Sequence, residues 1–282
     1  MTAITLGFKA FDAHELLVHF VASEAGLYRH AGLQVELADI TFVAEAELPV
    51  HWFQASCGAA LASAVKGIAQ RVVLVAVDRP MFWIYARPGL DGLAGLKNRR
   101  LATFPAVAPP HHLANIVLSR SGLDPAREVQ LHCARDDVAR LGLLMSGNVD
   151  AAVISSAVAP ARLAALGFNM ICFLGDEIRV PTTGLGIDQR FLQQQPQLVG
   201  QLVAAQRQAL ALIHDDPERV ARVLVKCFDL AEGYARPTAG AFRPCYTADG
   251  LTPAAIAQAA IDALCRSLNV GPPPPWQDIY SF

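Results

Sequence analysis

Along the first ninety residues, short apolar runs alternate with segments whose apolar positions recur at helical spacing. Ile4 to Phe8 reads as a strand, and Asp12 is placed to cap a helix whose apolar face includes Leu16, Leu17, Phe20 and Val21, ending near Gly26. After Gly32, Leu33 to Leu37 alternates apolar and polar as a second strand, so the chain opens βαβ and predicts a parallel sheet. His51 to Gln54 is a third, short strand, followed by a helix that Ser56 can cap and that carries Ala60, Leu61 and Val65 to Gly67. Val72 to Val77 is a β-branched run of the kind buried on both faces of a sheet. Phe82 to Ala86 continues as strand until Arg87-Pro88-Gly89, where a lobe boundary is expected.

The same alternation resumes beyond that break. Leu101 to Phe104 is a strand that stops at Pro105, and Pro109-Pro110 suits a turn and a helix start, with Leu113, Ile116 and Val117 at helical spacing. Val129 to Cys133, Val149 to Ile154 (reaching Ser155-Ser156) and Met170 to Phe173 read as strands, and Asp137 to Leu144 and Pro160 to Leu166 as helices. Near Pro181 to Gly186 the chain is expected to cross back. The remainder predicts helices over Gln195–Ile213, Pro217–Phe228 and Pro253–Leu268, then a proline-rich strap ending in Trp276–Tyr280. The fold class is α/β in two lobes. One is expected to comprise residues 1–87 and 184–282, and the other, inserted, residues 88–183.

Composition narrows the function. The chain has 282 residues, 53% hydrophobic and 17% charged, enough for two lobes and too apolar for disorder. A net charge of −2 with no basic run argues against nucleic acid as partner. No apolar run reaches spanning length, so no membrane-spanning segment is expected. The six cysteines show no CxxC or CxxH spacing, which fits reduced, buried thiols rather than disulfides or a zinc site. No metal and no cofactor is expected. The first strand begins almost at Met1 with no signal peptide visible, so the expectation is cytoplasmic as given, and periplasmic if a leader was removed.

Candidate chemistry gathers where strands give way to helices. Lys9, Phe11, Asp12 and His14 follow the first strand, an aromatic ring with charged groups that suits a small organic anion or a ring. The simpler role of Asp12 is helix capping. Ser56 and Cys57 open the next helix, where a thiol can become acidic, although inert packing is the commoner fate of a free cysteine. Arg79 can reach an anion or form a salt bridge. Phe104, His111 and His112 flank the prolines of the 101–112 stretch, and adjacent histidines cannot both face one site. Ser155 and Ser156 offer hydroxyls at another strand end.

The order of HELLVHFVASEAGLYRHAGLQVEL, ASAVKG, LDGLAGLKNRRLATFP, SGLDPAREVQL and LLMSGNVDAAVISS resembles the solute-binding proteins for nitrate, sulfonates, taurine and thiamine-pyrimidine precursors. The resemblance runs from Leu6 to about Gly186. It implies the type II periplasmic-binding-protein fold, a cleft between the lobes, and hinge closure on a small organic anion or heteroaromatic ligand near Tyr85–Gly89 and Pro181–Gly186. It also implies an ABC permease as partner in the exported case. Where that family usually places small residues at the helix start, this chain has Pro109-Pro110-His111-His112. The fold also hosts enzymes, so the alternative is a cytoplasmic lyase, a decarboxylase or desulfinase, using His111 or His112 with Cys57 or His14; its catalytic residues stay unassigned. The CCCFC-type segment of the pyrimidine-synthesising enzymes is reduced here to Met170-Ile171-Cys172-Phe173.

Overall fold

The structure is a computed structural model that describes residues 1–106 and 108–282. Val107, inside the 101–112 stretch, lies outside the described residues. The chain forms two compact units: Met1–Asp78 with Val180–Phe282, and Arg79–Arg179.

The first unit begins β1 (Thr2–Phe8), α1 (Ala13–Glu24), α2 (Leu27–His30), β2 (Leu33–Asp39), β3 (Phe53–Gln54), α3 (Cys57–Val65) and β4 (Gln70–Val77). Asp12 and Ser56 cap α1 and α3 as their side-chain chemistry predicts, accepting from Glu15 N–H at 3.0 Å and Ala59 N–H at 3.2 Å. Of the helical stripe read from the sequence, Leu16, Leu17 and Val21 of α1 are fully buried and Phe20 is half-buried.

The second unit contains β5 (Phe82–Ala86), β6 (Arg100–Thr103), α4 (Pro109–Arg120), β7 (Gln130–Cys133), α5 (Asp137–Met145), β8 (Ala151–Ser155), α6 (Pro160–Ala165), β9 (Asn169–Phe173) and α7 (Leu174–Glu177). Its sheet order is β7-β6-β8-β5-β9, with β6 parallel to β7 and β8, and β5 antiparallel to β8 and β9. On one face, Ile84, Leu101, Ala151 and Val153 pack against Ala114, Val117 and Leu118 of α4. Because β5 is paired entirely within this sheet, the chain enters the second unit at Arg79, where the sequence expectation placed the boundary after residue 87.

The chain then returns through β10 (Thr183–Asp188), α8 (Gln189–Gln194), α9 (Pro196–Asp215), α10 (Pro217–Phe228), α11 (Glu232–Phe242) and α12 (Ala254–Leu268). Sequence patterning expected a crossing at Pro181–Gly186, but Thr183 onward is a strand, antiparallel between β3 and β4 in the order β2-β1-β3-β10-β4. Two glycines hid it. Gly186 carries no side chain because a Cβ there would sit 2.3 Å from the Cβ of Ala60, so glycine lets α3 press onto the sheet. The outer edge of β4 is covered by two segments: Thr247 N–H donates to Ala76 O at 2.8 Å, and Val72 pairs with the tail through Ile279 O and Ser281 N–H, both at 2.9 Å. The strap therefore lies against the fold as its composition suggested.

Candidate functional site

In the first unit the carboxyl ends of β1, β3 and β4 and the amino end of β10 share one edge of the sheet, a consequence of the parallel strands and the antiparallel β10. The β1–α1 loop is held there by Glu15, whose carboxylate accepts Lys9 N–H at 2.9 Å and Ala10 N–H at 2.8 Å. Burial pushes the Glu15 carboxyl up to about 7, against those two hydrogen bonds. Lys9 is ion-paired with Glu45. Phe11 is 57% exposed yet packs edge-on against Phe8 and Phe20, at centroid separations of 5.7 and 5.8 Å.

His14 Nε2 meets Thr182 Oγ1 at 2.8 Å, and burial pulls the imidazole down to about 4, so it is neutral at pH 7. Thr182 also closes off the α3 start: its carbonyl accepts Gly58 N–H at 3.0 Å and lies 3.5 Å from Ser56 Oγ. Cys57 has no exposed surface, and burial, reinforced by the charge of Asp78, pushes its thiol up. A buried thiol held protonated is a packing group.

In the second unit the corresponding edge carries Phe82, Phe104, Ser155 and Ser156. Asp137, in the first turn of α5, accepts Ser155 N–H at 2.9 Å and Ser155 Oγ–H at 2.6 Å. The same carboxylate faces Arg140 Nη2 at 2.8 Å, an ion pair outside hydrogen-bond geometry. Arg140 is fully buried; its Nε and Nη1 donate to Val153 O at 2.8 Å and Ala134 O at 3.0 Å. Burial lowers its pKa, and Asp137 offsets part of that effect. Arg79 donates from Nε to Gly175 O at 3.0 Å, pairs with Asp176 and lies over the Phe173 ring.

At the start of α4 the prolines occupy the first two helical positions, and His111 N–H donates to Ala108 O at 3.0 Å. The first turn thus lacks most of the free N–H groups that backbone anion capture uses. The two imidazoles divide as their adjacency requires: His111 is buried, with Nδ1 unpartnered among the described residues, and His112 is exposed. Thr103 Oγ1 is likewise buried without a partner among the described residues, on the same side of β6 as Leu101.

Lys9, Phe11, Asp12, His14, Ser56 and Cys57 thus fall on the first unit's edge, and Arg79, Phe104, His111, His112, Ser155 and Ser156 in the second unit. Sequence reasoning missed Glu15, Thr182, Asp137, Arg140 and Thr103. The Asp12-x-x-Glu15 spacing is a capping-box signature that could have drawn attention to Glu15. Arg140 stands beside Leu141 and Leu144 on the buried face of α5, one turn from Asp137, and an arginine on such a face is a readable anomaly. Among the described residues, no group of three His, Cys, Asp or Glu side chains could hold a metal ion, and no helix is long and apolar enough to cross a membrane.

This α/β architecture, with two five-stranded sheets, is that of the type II periplasmic binding proteins. The chain belongs to the NMT1/THI5-like family, whose model matches residues 14–220. No curated protein sequence matches it significantly. Among solved structures it is similar to the periplasmic aliphatic sulphonate binding protein SsuA from Escherichia coli, with a TM-score of 0.77 and 15% identity over 98% of this chain and 96% of the other. It is also similar to the alkanesulfonate-binding SsuA of Xanthomonas axonopodis pv. citri bound to MOPS, with a TM-score of 0.74 and 17% identity over 100% and 98%. The desulfurization enzyme DSZB shares the fold at a TM-score of 0.72 and 16% identity, over 98% and 96%.

Proposed function

We propose that the protein is a solute-binding protein that captures a small organic anion or heteroaromatic molecule by hinge closure and delivers it to an ABC permease. The observation that carries this reading is the gathering of aromatic and polar side chains at the carboxyl ends of the parallel strands in each unit, on a chain of the NMT1/THI5-like family. The SsuA proteins, named as sulfonate binders, support an oxyanion as the ligand class and the periplasm as the compartment. Lys9, Phe11, Asp12, His14, Ser56, Arg79, Phe104, His111, His112, Ser155 and Ser156 are the groups we assign to ligand capture, with Cys57 packing behind them. Capture is favoured over lyase chemistry because the one cysteine at a helix start is buried and protonated, unsuited to attack a substrate.

Calorimetry against aliphatic sulfonates, aromatic acids and pyrimidines, with small-angle scattering of the same mixtures, tests the proposal. Heat of binding together with a smaller radius of gyration is the expected result. Neither heat nor compaction across the panel overturns it, and turnover of a panel member that disappears in His111→Ala or His112→Ala establishes the enzyme instead.

A further inference from the structure

Phe104 is half-buried just past the end of β6, and the Arg140 guanidinium lies 3.5 Å from its ring centroid. The Phe82 ring meets it edge-on at 5.4 Å. Every nitrogen of Arg140 faces a protein group, two of them carbonyls and the third Asp137, so the cation is spent within the protein and a solute meets it only through Phe104. Asp137 in turn holds both the N–H and the hydroxyl of Ser155, which lies opposite Phe82 in the β5–β8 register.

Two consequences follow for the ring. A side chain pinned by a buried guanidinium and a second ring loses little rotamer freedom when something stacks on it. A cation beneath an aromatic face also draws on the ring's negative quadrupole and weakens the repulsion that an anionic partner meets there. Offset stacking rewards planarity. An alkyl chain or puckered ring gains the same burial without that geometry.

We propose that Arg140 is a specificity-determining residue that turns Phe104 into a stacking platform for a planar, anionic ring, an inference that rests on the solute-binding reading above. The test is calorimetry with benzoate, cyclohexanecarboxylate and ethanesulfonate on the full chain and on R140M, R140K and F104L, with thermal melts to verify folding. Benzoate should bind the unmodified protein about tenfold more tightly than its saturated counterpart, the order expected of one aromatic contact. F104L should bring the two ring acids level, and R140M should narrow the gap at least halfway on a logarithmic scale. If R140M does not fold, R140K, which keeps the charge without the planar stack, should fall between the unmodified protein and F104L. A preference for benzoate that survives in F104L, or in both Arg140 variants, overturns the proposal, and so does an unmodified protein with no preference. Binding of ethanesulfonate without either ring acid overturns the platform while leaving solute capture intact. Silence toward all three probes and the wider panel removes both.

Discussion

Thr182 donates its hydroxyl to Val77 O at 3.2 Å and meets His14 Nε2 at 2.8 Å. A hydroxyl has one proton, and with that proton on Val77 O the imidazole donates through Nε2–H. His14 O in turn accepts Thr183 Oγ–H at 2.9 Å, and the first turn of α1 is thereby tied to the start of β10. Replacing His14 with Ala should cost about 0.5–1.5 kcal/mol, the range for one hydrogen bond, measured as a lower urea midpoint at unchanged slope. A midpoint within error of the unmodified protein would show that the pair contributes nothing.

Three groups whose pKa burial shifts, His14, Glu15 and His19, set the pH dependence of stability with opposing signs. His14 and His19 are both pulled by burial from 6.5 down to about 4, so their contribution is complete above 6.5 and lost as pH falls toward 4. Glu15, pushed by burial from 4.5 to about 7, contributes stability that is present below 4.5 and lost as pH rises through 7. Two histidine protons oppose one carboxyl proton, leaving a net slope on the order of 1.4 kcal/mol per pH unit between about 5 and 6. Urea midpoints should therefore climb to a plateau near pH 7, and Glu15→Gln should steepen the rise below it. A profile still climbing beyond about pH 7.5 would contradict the assignment of Glu15.

Gly186 admits α3 to the sheet. Gly186→Val places a branched side chain where a single Cβ already approaches Ala60 to 2.3 Å, and should destabilise by about 1–3 kcal/mol or more through overpacking. The double variant Gly186→Val with Ala60→Gly should recover part of that loss. No recovery would locate the strain elsewhere.

These positions explain why the sequence was readable in parts. Strands β1, β4, β5 and β8 were legible because burial on one or both faces leaves a run or alternation of apolar residues, and the caps at Asp12 and Ser56 announced their helices. β10 was not, because TGLGID spends two positions on glycines that serve packing. Helix α11 was missed as well, since Pro237 inside it reads as a breaker. Of the site, the loop residues at strand ends were visible by position. The Asp137–Arg140–Phe104 arrangement was not, because it depends on α5 packing over residues distant in sequence.

Cysteine reactivity follows burial. Cys133 is exposed on the edge strand β7, whereas Cys57, Cys245 and Cys265 are buried. Brief treatment of the folded protein with iodoacetamide should label Cys133 first and leave Cys57 unlabelled until denaturant is added, read by peptide mass spectrometry. Early labelling of Cys57 would restore its candidacy as a nucleophile.

Removing Asp137 should be among the most damaging single changes in the second unit. Asp137→Ala strips Arg140 of its counter-charge in a fully buried position and frees both Ser155 donors. Breaking one side of a buried ion pair costs about 3–5 kcal/mol, whereas removing both partners costs less. The double variant Asp137→Ala with Arg140→Met should thus melt above Asp137→Ala alone. Equal melting of the two would mean that the buried charge finds another partner.

The carboxyl-terminal strap protects an edge. Tyr280 and Ile279 are each 3% exposed, and the tail supplies the hydrogen-bond partners of Val72 on β4. Truncation before Trp276 should expose apolar surface at Val72 and Leu61 and leave Val72 N–H and C=O unpaired on an open strand edge. Unpaired edges recruit other chains, so the truncated protein should combine a lower melting temperature with concentration-dependent aggregation. Light scattering during a thermal ramp distinguishes the two effects. A truncated chain that melts earlier yet stays monomeric would show that the strap contributes packing alone and that the segment around Thr247 suffices to cover β4.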